Sequence, residues 1–132
     1  LAAGHGIIRF NKKERTIVME AWPRGVDVTK EDAKQFPGWP VKIIQEENYS
    51  RKAKAWLPEI KVEGMEDPVF QVIEESSDEV VYTIRILGSS FRPKVFQDGL
   101  YTIKIGDQDT REVVLEGIKA GNKSLKAMKV EL

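Results

Sequence analysis

Three tryptophans stand just ahead of a proline, as Trp22-Pro23, Trp39-Pro40 and Trp56-Leu57-Pro58, and the second of these lies in the aromatic stretch Phe36-Pro37-Gly38-Trp39-Pro40. Rings held by proline suit two tasks. Exposed and nearly coplanar, Trp22, Trp39 and Trp56, with Tyr49 nearby in sequence, would form a stacking platform for a flat ligand such as a sugar ring. Buried, the same rings would plug the open end of a β core, where proline stops a strand because it has no N–H to give the ladder. Core aromatics outnumber binding aromatics in ordinary domains, which favours the plug.

Other reactive groups are sparse. His5, in the run AAGHGI, is the sole histidine, and there is no cysteine. Zinc–thiolate sites, disulfides and thiol nucleophiles are thereby excluded. A lone histidine with no serine or cysteine partner in view does not assemble a catalytic triad. The acidic pairs Asp107-x-Asp109, Glu66-Asp67 and Glu46-Glu47 offer oxygen ligands, but none approaches the six to eight oxygens, spaced around a turn glycine, that a calcium loop supplies. The run Gly106 to Asp109 is more simply a polar hairpin loop. The chain is expected to hold no metal, cofactor or catalytic residue.

The elements that position these residues follow a period of two. Gly6–Phe10 and Arg15–Trp22 predict a hairpin with a polar loop, Ile17, Met19 and Ala21 falling on one face. Asp27–Gln35 is the one helical candidate, with Thr29 as N-cap and Asp32 three residues on. Val41–Gln45, Ala53–Leu57 with a continuation at Ile60–Val62, Val69–Glu74, Val80–Leu87, Phe91–Phe96, Leu100–Ile105, Glu112–Leu115 and Leu125–Val130 predict further strands. Val80, Tyr82, Ile84 and Ile86 should point inward, and Asp98-Gly99 should turn a hairpin. About eight or nine strands with at most one short helix predict an all-β, two-sheet sandwich, of immunoglobulin or fibronectin type III kind, in which residues 1–132 form one domain.

Composition narrows the partners. The 21 basic and 21 acidic residues cancel, so no polycationic field exists to hold a phosphate backbone, and nucleic acid is not an expected partner. No apolar run approaches the roughly 20 residues of a membrane-crossing helix, and the opening LAAGHG lacks the pattern of a signal peptide. The chain starts on leucine and enters a strand pattern almost at once, as though cut from something longer.

The segments GHGIIRFNKKERTIVMEAWPR, KQFPGWPVKI and NYSRKAKAWLPEIKV, in this order, resemble the C-terminal region of exported bacterial proteins related to alkaline phosphatase D. The later segment EVVYTIRILGSSFRPKVFQDGLYTIKIGD is similar to the closing strands of fibronectin-like and immunoglobulin-like modules attached to many exported enzymes. In that family a metal-dependent phosphodiesterase domain comes first and a β domain follows. The resemblance therefore implies a periplasmic or extracellular accessory domain that docks on or orients an upstream catalytic domain of the same parent chain. The family's metal ligands lie in that upstream domain, so none carries over to this chain, which is not expected to be an enzyme. His5 and the hairpin within residues 1–22 would pack on the catalytic domain. A carbohydrate-binding module using Trp22, Trp39, Tyr49 and Trp56 is the alternative.

Overall fold

A computed structural model describes residues 3–107 and 111–132. The architecture is all-β. Where the sequence suggests one domain, the chain divides by its contacts into two compact units, Leu1–Tyr49 and Ser50–Leu132.

The first unit is a three-stranded antiparallel sheet in the order β1-β2-β3, with β1 at Gly4–Asn11, β2 at Thr16–Pro23 and β3 at Val41–Ile44. The β1–β2 hairpin is closed by local chemistry: the Glu14 N–H donates to Asn11 Oδ1 at 3.0 Å, and Arg15 takes a positive φ of 50°. Asparagine side chains substitute for backbone in such turns. The strand β2 ends at Pro23, as expected from its missing donor.

The expected helix across Thr29–Gln35 is absent. Asp27 Oδ1 instead accepts both the Thr29 N–H at 3.1 Å and the Thr29 hydroxyl at 2.7 Å. The residue chosen as N-cap is thus itself bound in a side-chain turn, which competes with helix. Farther on, the Phe36 N–H donates to the Ala21 carbonyl at 2.9 Å and the Ala21 N–H donates to Gln35 Oε1 at 3.3 Å, tying the segment in extended form to β2. Phe36-Pro37-Gly38-Trp39 then makes a turn closed by Trp39 N–H to Phe36 carbonyl at 3.2 Å, with Gly38 at φ 86°. Proline second and a positive-φ glycine third is the pattern of a type II turn. Among the unit's described residues the one helical feature is a short 3₁₀ turn at Gln45–Glu47.

The second unit is a two-layer sandwich. Its strands are β4 Ala55–Trp56, β5 Ile60–Glu63, β6 Val69–Glu74, β7 Glu79–Arg85, β8 Ser90–Phe91, β9 Lys94–Val95, β10 Leu100–Asp107, β11 Arg111–Lys119 and β12 Met128–Glu131. One layer is β11-β10-β6-β7; facing it are β12-β5-β8 and the pair β4-β9, with β12 parallel to β5. Phe70, Val72, Ile84, Tyr101, Ile103 and Ile105 from the first layer meet Ala55, Ile60, Val62, Phe91, Val95 and Val130 from the second in a continuous core. Phe70 and Phe91 pack edge to face across it, centroids 5.3 Å apart. Apolar contact between opposed sheet faces is what holds such a sandwich.

Twelve strands are described, more than the eight or nine expected, in part because proline interrupts two of the apolar runs. Pro58 separates β4 from β5 and Pro93 separates β8 from β9. The alternation along β7 also breaks. Val72 pairs with Tyr82 but Ile73 pairs with Val80, so a bulge at Val81 reverses the parity. Val81 packs on the core, and Val80, expected inside, is exposed. Asp98-Gly99 joins β9 to β10 in different layers and is not a hairpin turn.

Candidate docking surface

One face of the first unit's sheet is lined by apolar residues from all three strands. Across β1 and β2 the register places Ile8 opposite Met19, Phe10 opposite Ile17 and Gly6 opposite Ala21. Across β2 and β3 it places Met19 opposite Val41 and Ile17 opposite Ile43. Residues directly opposite on an antiparallel pair share a face, so Ile8, Phe10, Ile17, Met19, Val41 and Ile43 form one contiguous apolar surface. None of the six is buried. Phe10 is 76% exposed, Ile8 58% and Val41 38%, whereas a sheet face of this composition ordinarily lies against a core.

The glycine end of this face is covered by its own chain. A Cβ built on Gly4 would meet the Trp22 carbonyl oxygen and would stand 2.7 Å from Cε2 of Phe36. The Phe36 ring therefore lies against the bare Gly4 backbone. A side chain at position 4 would displace it.

The reverse face is mixed, with Ile7, Val18, Trp22 and Ile44 beside a polar group that is internally paired. Arg9 Nε donates to Glu20 Oε1 at 2.6 Å and Arg9 Nη2 to Oε2 at 3.3 Å, while the Trp22 indole N–H donates to the same Oε2 at 2.9 Å. These bonds, Arg9 first and Trp22 second, hold the Glu20 carboxyl below its ordinary value. His5 is exposed and sits across from Trp22 on β2.

The four aromatic residues singled out in the sequence are placed differently from one another. Trp22 is buried, at 7% exposure, and Trp39 is exposed at 40% on its proline–glycine turn, so the ring at the centre of the opening stretch is no core plug. Tyr49 and Trp56 are half-buried, and Lys123 Nζ stands 4.9 Å from the centre of the Trp56 ring. The carboxylates serve local structure. Asp67 Oδ1 accepts the Gly88 N–H at 2.6 Å, and Asp107 pairs with Arg85 at 3.4 Å; Asp109 lies outside the described residues. Among the described residues no group of three or more histidine and acidic side chains is placed to hold a metal ion.

On the outer face of the second unit's larger sheet lies an open groove of about 200 Å³ lined by Gln71, Thr83, Lys104 and Glu112 among others. Gln71 Nε2 donates to Thr83 Oγ1 at 3.2 Å, so part of its polar lining is satisfied within the protein.

The chain matches no known family model, no curated protein and no solved structure. The apolar face was only partly legible in the sequence. Ile17, Met19 and Ala21 show it on β2, but the adjacent Ile7-Ile8 obscures the period on β1, and only the pairing of β3 adds Val41 and Ile43.

Proposed function

We propose that this chain is a non-catalytic accessory domain of a larger exported enzyme, of the alkaline phosphatase D-related phosphodiesterase class, and that the apolar face of β1–β3 docks on the catalytic domain. On this reading the second unit is an immunoglobulin- or fibronectin-like module, and the protein works in the periplasm or outside the cell. The observation that carries the reading is the exposure of Ile8 and Phe10 on a sheet face that is apolar throughout. A face cut from an interdomain contact has this composition, and burying such residues on a partner is favourable by roughly 25 cal/mol per Å² before the costs of association. Support for the enzyme class comes from the resemblance of the N-terminal segments.

A carbohydrate-binding module is the second reading, and the exposure of Trp39 on a rigid turn favours it. Against it stand the burial of Trp22 and the ammonium of Lys123 over Trp56. The test begins with the reading frame upstream of Leu1. A metallophosphoesterase domain encoded there, copurifying with this chain when the two are expressed as separate polypeptides, supports docking. A frame with no such domain, together with retention of this chain on a polysaccharide column that Trp39→Ala abolishes, replaces it with the carbohydrate reading.

A further inference from the structure

The strand β1 offers an edge as well as a face. Just beyond its first pair the Arg24 N–H donates to the Ala3 carbonyl at 3.0 Å. Backbone direction alternates along an antiparallel ladder, so the odd-numbered residues 5, 7, 9 and 11 bond to β2. The N–H and C=O groups of Gly4, Gly6, Ile8 and Phe10 point away from the sheet, since β1 is its edge strand.

Proteins ordinarily protect such edges with short strands, proline, lysine or bulges. The other edges described here are protected. β3 is four residues long, follows Pro40 and carries Lys42; β12 is also four residues and carries Lys129 and Glu131; β8 is two residues. β7 and β11 are each broken by a register shift. β1 runs for eight residues with no proline, no lysine and no register shift. Its one cation, Arg9, is held over β2 by Glu20.

We propose that this edge pairs with β1 of a second copy of the chain, antiparallel about a two-fold axis at Ile8. The edge is self-complementary in that register. Ile8 faces Ile8 of the second copy, Gly6 faces Phe10, Ile7 faces Arg9 and His5 faces Asn11. A cross-strand aromatic residue covers the exposed backbone of a glycine, and a two-fold contact uses the same patch on both copies. The neighbouring registers fit worse: one sets Arg9 against Arg9, and the other sets Phe10 against Gly4, where the Phe36 ring already lies. The product is a continuous six-stranded sheet whose two apolar faces lie on the same side, so the pairing is compatible with docking through that face but does not depend on it.

Sedimentation velocity of the wild-type chain across a broad concentration range tests this. One strand pair is a small interface, so the dimer should grow in with concentration. Ile8→Pro removes an outward N–H that the hairpin does not use, and the variant should sediment as a monomer with an unchanged circular dichroism spectrum. Val41→Lys, on the same face but the far strand, should still dimerise. In the wild type, hydrogen exchange at the amides of Ile8 and Phe10 should slow as concentration rises, a readout that holds even if Ile8→Pro fails to fold. A wild-type chain that is monomeric throughout, or one that assembles beyond dimers, overturns the proposal. So does a dimer that survives Ile8→Pro, or one lost in Val41→Lys, which would place the contact on the face.

Discussion

The Arg9 guanidinium grips the Glu20 carboxylate across the β1–β2 hairpin with two bonds, and the Trp22 indole closes on the same carboxylate from two residues along the strand. Glu20 is depressed in the folded state by these donors. A depressed carboxyl contributes stability that is fully present above its unfolded value, about 4.3 for glutamate, and is lost as pH falls through the lower folded value. Wild type should therefore exceed Glu20→Gln in stability by a constant margin from about pH 6 to 8, and the margin should shrink below about pH 4. Urea denaturation of both proteins at several pH values checks this. A margin that widens on acidification contradicts it.

Tyr101 titrates in the opposite sense. Its ring is fully buried and its hydroxyl donates to the Gln97 carbonyl at 2.9 Å. Burial first, and then the nearby Glu74 carboxylate, push the phenol above its ordinary value. The folded chain thus keeps a proton that the unfolded chain loses, so stability should fall as pH rises beyond about 10. Tyr101→Phe should show a shallower alkaline decline, followed by thermal melts between neutral and alkaline pH.

Gly4 and Gly6 are neighbours on one face of β1 with different surroundings. A methyl group at Gly4 would strike the Trp22 carbonyl and the Phe36 ring, whereas at Gly6 the nearest atom is the Glu20 carbonyl oxygen at 3.5 Å. Gly4→Ala should destabilise the chain by about 1–3 kcal/mol, the range for overpacking, and Gly6→Ala should be close to neutral. Chemical denaturation of the pair separates the two sites.

Trp39 is exposed enough that its loss should cost little, about 1 kcal/mol or less, as surface substitutions do. Phe70→Ala, fully buried between the layers, should cost about 3–5 kcal/mol. Denaturation midpoints for the two variants measure the contrast.

Most strands were legible because their side chains alternate between core and solvent: Val69–Glu74 occupies the predicted span, and the expected hairpin forms with its first strand extended at both ends and its second shifted by one residue. Features set by pairing were not legible. Nothing local announces the bulge that turns Val80 outward and Val81 inward, and nothing in Asp98-Gly99 says that the next strand belongs to the other layer. The helix failed at Asp27, whose carboxylate satisfies Thr29 more cheaply than a helical turn would. Of the site, the tryptophans stand out by type, yet the exposed face is built from ordinary Ile, Phe, Met and Val residues that only the register of three strands assembles.

The proposed docking face is tested most directly by isothermal titration of this chain with the metallophosphoesterase domain that the proposal places upstream of it, for wild type and Phe10→Glu. Phe10 is 76% exposed, so the substitution should leave folding intact and act on binding alone. The account predicts wild-type binding with a negative heat-capacity change, the mark of buried apolar surface, and a loss of affinity of about tenfold or more in Phe10→Glu, the cost of truncating or charging a buried contact residue. Equal affinity of the two proteins, or no binding by wild type, would contradict it.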